Sequence, residues 1–194
     1  MKRIDGRLIS AAAVLGWVGV GAYGVWEMAG EHTGDSWQVP YLLFSISLFI
    51  AVAATVAFCW TLSHSSMRPT LRAVGIGVGV LAVVSSAVAW AMPLWATLLA
   101  ISCTLFAVAA PAKVRSGMVA LAGAQLVGMT VMFAAITAEL GRRDSYGDYP
   151  VAFGLGNTTI GVGTVLGLAL LTRIAGTTPD KPAIKAQRPH HASV

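Results

Sequence analysis

Glu27 is the residue in this chain best suited to chemistry. It follows Trp26 at the end of an apolar stretch that contains Gly16, Gly19, Gly21 and Gly24, and Tyr23 stands four residues before it. Residues four apart share one face of a helix, so Tyr23 and Glu27 are expected side by side. Shielding a carboxyl from water favours its neutral form, and a neutral acid can donate a proton. At a membrane interface the same residue would simply be a solvated acid, and its residue type leaves both readings open. Glu139, Asp144 and Asp148 are the next carboxylates. Asp144 follows Arg142-Arg143, which reads as an internally paired, solvated loop. Asp148 lies between Tyr146 and Tyr149 just before the last apolar stretch, a place from which it could close a site.

Polar residues inside the apolar stretches are fewer. Gln125, Asn157, Thr158 and Thr159 are expected to hydrogen-bond between helices, the usual task of such groups in a bilayer. Asn157, about two turns into the last stretch, could also face a pocket. Other chemistries find little support. His32 and His64 are isolated, and His190-His191 is a pair near the C-terminal end, none with metal-ligand spacing inside a span. Cys59 and Cys103 sit in apolar runs and form neither a C-x-x-C motif nor a disulfide framework. The run Gly154-Leu-Gly-Asn-Thr-Thr-Ile-Gly161 lacks the lysine and the preceding strand of a phosphate loop. Neither a metal nor a cofactor is therefore expected.

The composition says what must position these groups. Of 194 residues, 56% are hydrophobic and only 11% charged, too few charges to cover a water-soluble domain. Crossing the hydrocarbon core takes about 20 apolar residues, and six runs qualify: 8–29, 40–62, 71–92, 93–111, 117–139 and 151–173. The fold class expected is an all-α polytopic membrane bundle of six transmembrane helices, arranged as three hairpins. It occupies residues 1–173, followed by a disordered cytoplasmic tail over 174–194. The first run is too long for the apolar part of a signal peptide, so it reads as a span.

With the N-terminus cytoplasmic, eleven of the thirteen Lys and Arg residues fall inside and only Arg142 and Arg143 outside. This predicts a multi-pass cell-membrane protein with both termini inside. It also assigns the basic balance to topology and lipid contact, with no nucleic-acid partner. Six of the eight acids and eight of the ten Trp and Tyr residues gather at the outer ends. That one-sidedness predicts a pocket in the outer half, built by the first, third, fourth and sixth helices and lined by Tyr23, Trp26, Trp90, Trp95 and Asn157. Gly163-x-x-x-Gly167 is expected to be a helix-packing face.

Val25-Trp26-Glu27 at a helix end, Arg115-Ser116-Gly117 ahead of Gln125-x-x-Gly128, and Tyr149-Pro150-Val151-Ala152-Phe153-Gly154 before the last helix form a pattern. It resembles the integral-membrane terpene cyclases, which include fungal meroterpenoid and bacterial drimentine-type indole-sesquiterpene cyclases. The resemblance is spread over about half the chain. It implies a metal-independent enzyme of isoprenoid biosynthesis in which Glu27 protonates a lipid-soluble prenylated substrate, an acid near the last helix assisting. The run 151–173 holds no Asp or Glu, so Asp148 is the nearest candidate for that second acid. Six spans of this size with an acidic, aromatic outer site also fit a second class, the substrate-binding subunits of vitamin importers, and a third, a membrane subunit without chemistry. Protein partners are not legible.

Overall fold

In a computed structural model of the chain, residues 6–29, 38–63, 68–87, 92–140 and 150–176 are described. They form six helices: α1 (Gly6–Ala29), α2 (Gln38–Leu62), α3 (Pro69–Ser86), α4 (Met92–Ala109), α5 (Ala112–Leu140) and α6 (Pro150–Gly176). All six are long and apolar enough to cross a membrane, and no strand occurs among the described residues. The protein is a six-span, multi-pass membrane protein. Apolar residues cover its outside as well as its interior: Leu15, Leu42, Val84 and Leu166 are all well exposed. Helices apolar on every side suit lipid, not water.

The boundaries depart from the apolar runs at both kinds of end. α3 stops at Ser86, short of residue 92, while α5 begins at Ala112, before the apolar run starts at 117. Lys113 and Arg115 explain the second difference, since both favour helix although neither favours lipid. α6 continues to Gly176, taking residues 174–176 out of the expected tail; 177–194 lie outside the described residues.

Neighbouring helices run antiparallel and close into a ring, with α6 packed on α1 as well as on α5. The three expected hairpins are therefore parts of one closed bundle. Glycine makes the α1–α6 contact. A Cβ at Gly161 would lie 2.8 Å from the Gly21 nitrogen, and one at Gly24 would lie 2.6 Å from the Gly154 carbonyl oxygen. Lipid gives no hydrophobic drive between helices, so close approach and interhelical hydrogen bonds must hold them. Ser102 Oγ donates to the Gly75 carbonyl at 2.8 Å between α4 and α3, and Gln125 Nε2 donates to Thr164 Oγ1 at 2.8 Å between α5 and α6.

The ring is filled. Trp17 and Trp95 meet across it with centroids 6.2 Å apart, and both are fully buried. Trp17 Nε1 donates to Thr55 Oγ1 at 2.9 Å, which in turn donates to the Ala51 carbonyl at 2.7 Å. Pro111 shows how one helix ends. It has no N–H to give the Ala107 carbonyl, and Arg115 Nε fills the gap at 3.2 Å. A cation is also favoured at that C-terminal pole.

On α6, Gly163 and Gly167 face α5: a Cβ at Gly163 would come 3.0 Å from the Ala124 Cβ, and one at Gly167 would come 2.8 Å from Leu121 Cδ2. Ala169 is exposed on the outer surface of the same helix. Gly163→Leu is therefore expected to reduce the yield of folded protein in size-exclusion chromatography well below that of Ala169→Leu. Equal yields would remove this packing face.

Candidate functional site

A cavity of about 110 Å³ opens at the end of the bundle where α1 finishes and α2, α4 and α6 begin. Its lining is Tyr23 and Glu27 of α1, Tyr41 and Phe44 of α2, Met92 of α4, and Phe153 and Asn157 of α6. The local sequence accounts for the arrangement. Tyr23 and Glu27 are four apart, as are Phe153 and Asn157, and Tyr41 and Phe44 are three apart, so each helix presents one stripe. Gly24, between the two α1 residues, lets α6 come close: a Cβ there would meet Thr158 Oγ1 at 2.5 Å. That approach brings Asn157 opposite Glu27, and both line the cavity.

Two oxygens of the lining residues are left over. Glu27 Oε2 and Asn157 Oδ1 are both buried and without a hydrogen-bond partner among the described residues. Asn157 as a whole is only 4% exposed. Apart from Met92, the remaining walls are aromatic. Tyr23 and Phe44 stack with centroids 4.3 Å apart and planes 18° apart, and Tyr41 tilts against Phe44 at 6.3 Å. One acid, one amide and four rings thus enclose the space.

The structure brings together three of the residues singled out from sequence: Tyr23, Glu27 and Asn157. Trp26 lies beside them, its ring 5.5 Å from that of Tyr23, but it does not line the cavity. Trp95 is a correction. It turns into the centre of the bundle against Trp17, where the ring of helices needs its bulk, and not towards Glu27. α2 supplies a wall that was not expected, and among the described residues α3 contributes none to it. Trp90 and Asp148 lie outside the described residues, as does the side chain of Glu139.

Known protein families, curated proteins and solved structures yield no match to this chain. The resemblance to the cyclases rests on its short sequence strings alone.

Sequence reasoning missed Tyr41, Phe44, Met92 and Phe153. The signal that could have found three of them is their spacing, since Tyr41/Phe44 repeats an aromatic pair at i, i+3 and Phe153 stands one turn before Asn157. Met92 carries no such signal.

At the opposite end of the bundle lie all six described basic residues: Arg7, Arg68, Arg72, Lys113, Arg115 and Arg173. The Arg72 guanidinium sits 5.7 Å from the Trp60 ring centre there. The bundle is therefore polarised, with a basic end and an end that carries the acid and the cavity.

Proposed function

We propose that this membrane protein takes a lipid-soluble prenylated molecule into the Glu27 cavity and that Glu27 donates the proton that starts its cyclisation. One observation carries the reading: Glu27 lines a cavity walled by Tyr23, Tyr41, Phe44 and Phe153, and its Oε2 is buried and without a partner among the described residues. The proton passes from the carboxyl to an alkene carbon or an epoxide oxygen of the substrate. The cation so formed is attacked by a second alkene of the same molecule, which makes the new carbon–carbon bond. Loss of a proton from the final cation restores the balance. Aromatic faces favour positive charge held against them, which suits the intermediate cations. The chain's own residues supply acid and walls, so the scheme calls for no metal.

The size of the cavity fits delivery of the proton at one end of the substrate. About 150 Å³ accommodates a benzene molecule in an apolar cavity, so about 110 Å³ suits one five-carbon unit, with the rest of the chain lying towards the mouth. Asp148, two residues before α6 begins at this end, is the candidate second acid. The test is product formation from prenylated indoles and their epoxides by membranes carrying the protein, with chelator present. A substrate-binding role in an importer draws on the Asn157 amide oxygen, an acceptor left for a ligand to satisfy. Co-purification with an ATPase pair, without turnover, would favour that role.

We also propose that the basic end is cytoplasmic and that the protein resides in the cell membrane. Lys and Arg near span ends set orientation. Reporter fusions within 141–149 are expected to read as external, and a cytoplasmic signal there would reverse the topology.

A further inference from the structure

We infer that the Glu27 cavity is a binding site for a primary or secondary alkylammonium ion with a short branched apolar body. The inference rests on the cavity being a ligand site, not on the cyclisation proposed for it.

The argument begins with hydrogen bonds. Asn157 and Glu27 line the same cavity, and Asn157 is almost wholly buried there. Asn157 Oδ1 and Glu27 Oε2 are acceptors buried in its wall, and neither is satisfied among the described residues. Buried acceptors left without donors are costly, and the cost rises when one carries charge. What fills the cavity should therefore bring at least two N–H or O–H donors. An ionised Glu27 also calls for a positive charge nearby, since among the described residues no Lys or Arg lies at this end of the bundle.

The walls select the kind of cation. Tyr23, Tyr41, Phe44 and Phe153 surround the space with π faces, and Met92 adds a polarisable thioether. A hydrated metal ion would gain little from such walls, whereas an organic ammonium would meet carboxylate and amide with its N–H groups and the rings with its carbons. A quaternary ammonium has the charge but no N–H, and an alcohol has a donor but no charge. The volume of about 110 Å³ limits the enclosed part to a small branched group.

The experiment uses the full chain in lipid nanodiscs and three probes: isopentylammonium, isopentyl alcohol and tetramethylammonium. Binding is read by ligand-observed NMR against empty nanodiscs. Isopentylammonium is expected to bind saturably and about tenfold or more tighter than either other probe, as fits one charge-assisted hydrogen bond. Glu27→Gln should weaken it by about tenfold or more and Asn157→Val by a smaller factor. Val25→Ala, on the lipid-facing side of α1, should leave it unchanged. Equal binding of the ammonium and the alcohol, or no saturable binding of the ammonium, overturns the inference. The probe comparison uses the unaltered protein, so it holds whether or not a variant folds. Cyclised product without ammonium binding would defeat the inference and leave the reaction standing. Ammonium binding without product would defeat the reaction and support the inference.

Discussion

Membranes carrying Glu27→Gln are expected to form cyclised product at least about 100-fold more slowly than membranes carrying the unaltered protein, the lower range of what a general acid contributes. The substitution keeps the shape of the side chain. The contact between α1 and α6 is made by Gly21, Gly24, Gly154 and Gly161, so it survives. What is lost is the transferable proton. Folded protein, measured by size-exclusion chromatography, should be unchanged, which separates loss of chemistry from loss of the bundle. Undiminished turnover by the Gln variant would exclude Glu27 as the acid. Absence of product from the unaltered protein across a broad prenyl panel would shift the reading to binding or transport.

The second large effect is expected from a single methyl group. Gly161→Ala would set a Cβ 2.8 Å from both the Gly21 nitrogen and the Trp17 carbonyl oxygen, and 2.9 Å from the Gly21 Cα. All three are backbone atoms, so no side chain can swing aside and α1 must move away from α6. Overpacking of this kind costs about 1–3 kcal/mol. Gly123→Ala is the control, because a Cβ there meets nothing within 4 Å. It should be neutral or stabilising by up to about 1 kcal/mol, from helix propensity. Unfolding of both variants in one detergent measures the difference, and similar stabilities would refute the close-packed α1–α6 contact. Because the same contact brings Asn157 to Glu27, Gly161→Ala should also weaken ligand binding.

How much of this was legible in the sequence depends on which physical signal a residue carries. Six spans were readable because run length and the scarcity of charge suffice for that. Helix ends were less so: Lys113 and Arg115 extend α5 by a polar turn that counting apolar residues misses. Glu27 and Asn157 stood out because polar groups in an apolar stretch are expensive. Their aromatic neighbours did not. When a helix is apolar all round, the period that normally marks the inward face is missing. Phe44 and Phe153 then read like any lipid-facing residue, and Trp95 read as a site residue although it fills the core.

The meeting of Trp17 and Trp95 makes the bundle a cup rather than a tube. Trp17 stands six residues before Tyr23 on α1 and Trp95 three after Met92 on α4, so the two indoles plug the bundle on the inner side of the cavity. For the guest proposed above, that plug bars passage through the middle of the bundle, so substrate and product would share one half of the bilayer and compete for the same way out. Slow departure of a bulky product would hold back the next arrival, and turnover would be set by clearance of the mouth.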